Sequence, residues 1–327
     1  MKIQTFLPGI YPRSEALVHA TQALERGRVS AAEVQAQYER DLAGLLELQR
    51  AAGLDFLSDG ALNWPDLFRP LLDISAGLEA GALVRFFDNN TFYRQPVIQG
   101  SLRLRQELLD DWLETFFHLG RGITVASLPS PYCFGQAVQD EGGHTPAELS
   151  AAYAQELLLP IAGALAERGV KLLILQEPWL AVHGPANGED FATLQTSLRE
   201  LKSALPNLLI GLIGYFGDSA PCWEQLKGLE LDAVGLDFWQ TDLEALERDK
   251  LETGLICGAL DARSSLVEEP EMVADFLEQV QTRLAPPALY LSSNAGLEFV
   301  PEPIARSKVE RLGRIAQIIN GRQGGSS

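Results

Sequence analysis

Short apolar runs, each followed by a longer amphipathic stretch, constrain this chain more than any other feature. The runs are IQTFL (3–7), LDFLS (54–58), LVRFF (83–87), ITVASL (123–128), KLLIL (171–175), LLIGLI (208–213), DAVGLD (232–237), GLICGAL (254–260) and ALYLSS (288–293). Each is short, bulky and without clear polar alternation, which is the pattern of a strand buried on both faces. The stretches between them carry helix punctuation. Ser30 stands as an N-cap with Glu33 at the capping-box position, and Gly53 closes that helix. Thr145 precedes Pro146 at a first helical position, and Gly169 ends the same stretch. EEPEMVADFLEQVQTRLA and PEPIARSKVERLGRIAQIIN read in the same way.

Strand followed by helix, repeated, gives a parallel sheet. Nine strand runs against about eight helices predict an α/β fold, a (β/α)8 TIM barrel over residues 1–320. The surplus strand is expected as an extra strand or hairpin near 83–98. The Gly/Ser-rich end, 321–327, is expected as a flexible tail. A doubly wound sheet is the competing architecture, but no Gly-x-Gly-x-x-Gly follows any strand and no Walker sequence occurs. The 327 residues, 46% of them apolar, suffice for one such core.

Several function classes are disfavoured. A net charge of −18 repels a phosphate backbone, so nucleic acid is not an expected partner. No run of about 18 apolar residues occurs, so no membrane span is expected. The start, MKIQTFLPGIYPRSE, lacks the layout of a secretory leader. Cys133, Cys222 and Cys257 are scattered with no CxxC, which fits a reducing cytoplasm and not a disulfide scaffold. His19, His118, His144 and His183 show no metal-ligand spacing, and only His183 falls near a strand end. No Gly-x-Ser-x-Gly elbow is present.

A barrel gathers its chemistry at the C-terminal ends of its strands. The residues there are Tyr11 and Arg13; Ser58 and Asp59; Asp88, Asn89 and Asn90; Ser130 and Tyr132; Gln176 and Glu177; Tyr215 and Asp218; Asp237 and Trp239; Asp261 and Arg263; Ser293 and Asn294. Polar loops and helix caps account for such residues as readily as function does. Glu177, between a strand and a proline, suits binding of an amine, general-base work or an ion pair to a neighbouring strand end. Asp237 with Trp239 offers a charge beside a flat apolar surface, or a capping Asp beside a core Trp. FFDNNTFYRQP reads as a loop over a site or as a self-packed hairpin, and Arg13 and Arg94 are the candidate cations for an anionic ligand. The candidate catalytic set is therefore Glu177, Asp237, Asp59 and Asp261. The candidate binding set is Tyr11, Arg13, Asp88, Asn89, Arg94, Tyr215, Trp239 and Asn294. LIGLIGYFGD (209–218) ends as a metal site, a substrate site or a turn.

Taken in order, PGIYPRSEAL, GLDFLSDG, LLILQEPWL, GLICGALDARS and YLSSNAGLEFVP resemble strand-end segments of the cobalamin-independent methionine synthase family, over about residues 1–305. Gln176 stands where the family commonly has Asp, while Glu177 and Asp261 match. The resemblance implies a methyltransferase-type barrel. Full-length members pair two barrels. The C-terminal one binds zinc and homocysteine, and the related N-terminal one lacks the metal and helps hold the folate's glutamate tail. GYFGD and VRFFDNNTFYRQP look like the zinc-less barrel. Gly214 and Phe216 fall where the catalytic barrel has His-x-Cys, and Ala295 where it has a later Cys; only Asp237 survives as an acidic position. Ile10 and Ala61 replace a Ser and a Glu that contact homocysteine. The implied cofactor state is no zinc, with a methylfolate as methyl donor. The first functional reading is a methyltransferase-family enzyme that binds a folate-like or other ring-bearing substrate over Trp239, Tyr215 and the 86–94 segment. A second is a non-catalytic partner that presents a methyl donor, or its carrier protein, to a separate zinc-bearing barrel. A third is a ligand-binding barrel without transfer chemistry.

Overall fold

A computed structural model describes residues 2–324 apart from 186 and 249. Seven parallel strands curl into one sheet: β1 (Gln4–Thr5), β4 (Val125–Pro129), β6 (Leu172–Gln176), β7 (Leu209–Ile213), β8 (Ala233–Asp237), β9 (Gly254–Leu260) and β10 (Leu289–Ser293). Their order around the sheet is β1-β10-β9-β8-β7-β6-β4. From β6 to β10 every strand residue but Leu209 is buried, as the unalternating apolar runs predict.

The gap between β1 and β4 is filled by the run at 54–58, which does not form a regular strand. Asp55 N and Phe56 N donate to Thr5 O on one side, each at 3.1 Å. On the other side Thr124 N and Val125 N donate to Leu57 O at 2.8 and 3.2 Å. Side chains take the place of the missing ladder. The Asp55 carboxylate accepts from Thr5 N, Thr124 Oγ1 accepts from Leu57 N, and the Gln49 amide meets both Ser58 N and Ser58 O. The barrel therefore closes through an irregular eighth segment.

The expected hairpin is present and larger than 83–98. The strand β2 (Ser75–Arg85) pairs antiparallel with β3 (Phe92–Leu104), and the short β5 (Gln139–Asp140) adds parallel to β3. Together they form a second, three-stranded sheet outside the barrel.

The helices are α1 (Glu15–Glu25), α2 (Ala31–Ala52), α3 (Arg69–Ile74), α4 (Leu109–Phe117), α5 (Pro131–Ala137), α6 (Pro146–Tyr153), α7 (Leu159–Glu167), α8 (Pro178–His183), α9 (Gly188–Ala204), α10 (Trp223–Lys227), α11 (Pro270–Leu284) and α12 (Glu302–Gly324). Ser30 with Glu33, and Thr145 with Glu148, form complete capping boxes, and Gly53 closes α2 in the left-handed conformation. A wider turn at Ala154–Leu158 joins α6 to α7. Among the described residues, Pro146–Glu167 is the one helical stretch long and apolar enough to cross a membrane, and 56% of its most apolar window is buried inside the protein. The helix α12 runs on to Gly324, so 321–324 are helical and not part of a flexible tail. The Arg322 guanidinium holds this end to α11 through Glu271, Asp275 and Glu278. Residues 325–327 of the expected tail lie outside the described residues.

Candidate functional site

The C-terminal rim carries a cleft of about 340 Å³ between the barrel mouth and the hairpin. Its walls are aromatic: Tyr11, Trp64, Phe86, Phe92, Tyr93, Tyr215 and Phe299. Its polar groups are Arg13, Asp66, Thr91, Gln176 and Glu298 together with the tyrosine hydroxyls.

Three of the sequence candidates line this cleft. Tyr11 is buried, its hydroxyl 3.5 Å from Glu302, and burial with the Glu302 carboxylate pushes that hydroxyl above its ordinary range. Arg13 stands exposed at the mouth, and Tyr215 is a buried part of the wall. Tyr215 belongs to the turn that follows β7. Phe216 there has φ +72°, a left-handed conformation that strains a bulky residue. Its N–H donates to Asp237, and its ring meets Phe86, Phe87 and Phe299. The Arg263 guanidinium lies 4.9 Å over the ring. A Cβ at Gly217 would fall 2.0 Å from Ala181 O, which confines that position to glycine. The end of LIGLIGYFGD is thus a packed cleft wall.

The other candidates lie elsewhere. Glu177 is fully buried beneath the rim and joins two helix starts. It caps its own α8 by accepting from Leu180 N at 3.0 Å, and it accepts from Cys133 N at 2.9 Å and from the Ser130 hydroxyl at the start of α5. Burial pushes its carboxyl up to about 7, against these donors. Asp237 is also fully buried and accepts from Phe216 N, Trp239 N and Asn294 Nδ2. Asn294, at the end of β10, is held in turn by the Ala262 N–H. Asp59 is buried with Oδ1 accepting from Ala61 N and Oδ2 without a partner, and burial raises it to about 7. Asp261 accepts from Arg263 N in the loop after β9.

The hairpin and Trp239 candidates also fall outside the cleft. Asp88 is fully open to solvent at the hairpin tip, and Asn89 builds that tip through Phe86 O. Arg94 points away from the cleft, bonded to Gly81 O, while its neighbour Tyr93 faces inward; strand alternation separates the two. Trp239 is half exposed over a separate apolar groove with Phe238, Met272 and Phe276. The expected stacking surface of Trp239, Tyr215 and 86–94 is therefore split: Tyr215 and residues 86 and 91–93 meet at the cleft, and Trp239 does not. His183, the histidine expected near the rim, stacks on Phe87.

The sequence reading did not single out Asp66 and Glu298, which face this cleft. Asp66 is saturated by the backbone N–H groups of Phe68, Arg69 and Arg94, so it ties the hairpin to the 64–69 segment. Glu298 follows β10. Among the described residues no donor meets its carboxyl. The residue is half-buried, and desolvation of its carboxyl with the Asp66 carboxylate nearby shifts it upward, to about 8. The signal available in the sequence was a lone carboxylate inside the apolar NAGLEFVP, and an Asp directly after Trp-Pro in NWPDLF.

Catalytic zinc, like structural zinc, is held through at least two thiolate or imidazole donors. The cleft offers neither. Cys133, Cys222 and Cys257 are buried, and burial raises all three thiols, Cys222 to about 11. Among the described residues no group of three or more His, Cys, Asp or Glu side chains is placed to hold a metal ion. The donor set does not fit zinc.

A closed parallel barrel with an aromatic, acidic cleft at the C-terminal rim defines the class: a (β/α)8 barrel of the kind that binds small ligands between its βα loops. The chain belongs to the cobalamin-independent synthase family, matching its N-terminal domain over residues 75–285. It is 21% identical to a methionine synthase of Sulfurisphaera tokodaii, over 97% of this chain and 92% of that protein. It is 24% identical to a 5-methyltetrahydropteroyltriglutamate–homocysteine methyltransferase of Thermosynechococcus vestitus, over 76% of this chain and 34% of that longer protein. Its fold is shared with a B12-independent methionine synthase from Shewanella sp. W3-18-1, solved in complex with selenomethionine. That match has a TM-score of 0.77 at 18% identity and covers 99% of this chain and all of the other.

Proposed function

We propose that this chain is a methyltransferase-family barrel whose rim cleft binds a flat, ring-bearing methyl donor of the folate class, without zinc. The observation that carries the reading is the cleft itself: seven aromatic side chains wall it, and the half-buried Glu298 carboxyl faces it with no donor among the described residues. Aromatic walls suit a planar ring. An amine nitrogen leaves a methyl group readily only when it carries a proton, and a carboxyl still protonated at neutral pH can give one. The exposed Arg13 at the mouth suits the anionic tail of such a donor. The relatives' names, which include a methyltetrahydropteroyltriglutamate, support the same ligand class.

Titration with 5-methyltetrahydrofolate, read by the fluorescence of Trp64 in the cleft wall, tests this. Saturable quenching is expected, and Glu298→Gln should weaken it by roughly tenfold, about 1.4 kcal/mol. No saturable change up to millimolar ligand would overturn the reading.

The polar lining favours a second reading, in which the chain presents the donor to a separate zinc-bearing barrel. No thiolate or imidazole faces the cleft to activate an acceptor thiol. Incubation with homocysteine and 5-methyltetrahydrofolate separates the two: methionine formed by this chain alone supports the first, and methionine formed only when a zinc-bearing barrel is added supports the second.

A further inference from the structure

The groove beside Trp239 lies outside the cleft, between the residues that follow β8 and the first half of α11. Its volume is about 310 Å³, and Phe238, Trp239, Met272, Val273 and Phe276 form its apolar walls. A single exposed apolar residue is ordinary on a protein surface, but a cluster marks an interaction site. Trp239 is 51% exposed and Met272 is 72% exposed. Leu266, 80% exposed, stands in the loop that delivers Glu268 and Glu269 to the groove. Leu266 and Met272 are the two most exposed large apolar side chains among the described residues.

These side chains are held on display. The Trp239 indole N–H donates to Ala259 O at 2.9 Å, and its main-chain N–H donates to Asp237 at 3.0 Å. Phe238 meets Phe276 edge-on, with ring centres 5.2 Å apart. The buried Lys308 pins the loop after β9 by donating to Leu266 O and to both Glu268 oxygens, and Glu268 accepts from Asp261 N. A surface already fixed in this way costs a partner little further ordering.

Two features narrow the occupant. The strands β8 and β9 are each paired on both sides, so an extended segment finds no strand edge to join here. A helix can instead lay an apolar face into the groove, against Met272 and Phe276 one turn apart on α11. The second feature is charge. Glu269 is exposed, gives α11 no side-chain cap and has no ion-pair partner among the described residues. Glu271, Asp275 and Glu278, further along α11, share the one guanidinium of Arg322. A second copy of this face would set Glu269 and Glu271 against their like, whereas a basic segment meets opposite charge. We propose that the groove is a docking site for an amphipathic helix of a partner protein, with apolar anchors on one face and lysine or arginine beside them.

The test uses the whole chain and three dye-labelled peptides of about 15 residues, long enough to hold a helix. The first carries Leu at i, i+3, i+4 and i+7 with Lys at the flanking positions. The second keeps the Leu positions and has Glu for Lys. The third scrambles the first so that no apolar face forms. By fluorescence anisotropy, the first should bind saturably and at least roughly tenfold tighter than either of the others. Met272→Glu and Trp239→Ala should each weaken it at least roughly tenfold, and Glu269→Lys by about three-fold or more. Met272 and Glu269 are exposed, so their variants keep the fold. Thermal unfolding checks Trp239→Ala, and if that variant is unfolded the other two decide. No saturable binding up to millimolar peptide, equal binding of the scrambled peptide, or unchanged binding by Met272→Glu would each overturn the proposal. A dimer of the chain that dissociates in Met272→Glu, seen by light scattering, would give the groove to a second copy and overturn it as well.

Discussion

Replacing Glu177 separates a structural carboxylate from a functional one. Its oxygens accept from Leu180 N, Cys133 N and the Ser130 hydroxyl, which ties the starts of α8 and α5 together. Glu177→Ala leaves donors at two helix starts without this acceptor. At about 1–3 kcal/mol for each buried group left unpaired, the loss should reach about 3–5 kcal/mol. Glu177→Gln keeps one oxygen, which can still serve Leu180 N, but turns an NH2 toward the Cys133 N–H. Cys133 N retains Ser130 Oγ at 3.0 Å, and the neutral amide avoids the cost of a buried charge, so the loss should be smaller, about 1–2 kcal/mol. Neither change alters the cleft lining, so affinity for 5-methyltetrahydrofolate per folded molecule should stay within about two-fold. Urea unfolding read by intrinsic fluorescence gives the stability, and ligand titration at low urea gives the affinity. The reasoning is refuted if Glu177→Gln unfolds within about 0.5 kcal/mol of the wild type while its ligand affinity falls at least tenfold.

Glu298 makes stability pH-dependent. Its folded-state value lies above the ordinary carboxyl range, so the stability it contributes is full at acid pH and is lost as pH rises to about 8. Asp59 and Glu177, each raised to about 7, add the same slope up to that pH. Between pH 7 and 8 the decline should therefore be shallower in Glu298→Gln than in the wild type, which urea midpoints at each pH will show. Lys308 is fully buried and bonded to both oxygens of Glu268; Lys308→Met should cost about 3–5 kcal/mol, and a Lys308→Met, Glu268→Gln double variant should regain much of it in chemical unfolding. Protein purified without chelator should contain far less than one zinc per chain by elemental analysis, and a stoichiometric content would show that donors assemble in a way the cleft lining does not reveal.

The sequence by itself determined the parts whose cause is local. Buried strands announce themselves because both faces must be apolar, and GLICGAL is strand β9 residue for residue. The helix starts at Ser30 and Thr145 were legible because a capping box spans only four residues. The resemblance of strand-end segments identified the family for the same reason, since each segment is contiguous. Tertiary structure decided everything that depends on where a side chain is aimed. The run at 54–58 has the composition of a strand, yet its ladder is completed by side chains from Gln49 and Thr124, which no local pattern encodes. Glu177 and Asp237 stood at strand ends as expected, but partners 47 and 57 residues away in the chain, Ser130 and Asn294, turned their carboxyl groups inward. Trp239 and Tyr215 follow adjacent strands, yet one lies over an outer groove and the other in the cleft. The cleft itself joins Gly9, Asp66, Tyr93, Gln176 and Glu298, residues from five separate segments. Strand curvature brings them together, and partial burial beside the Asp66 carboxylate raises the proton affinity of Glu298 above that of the same residue in water.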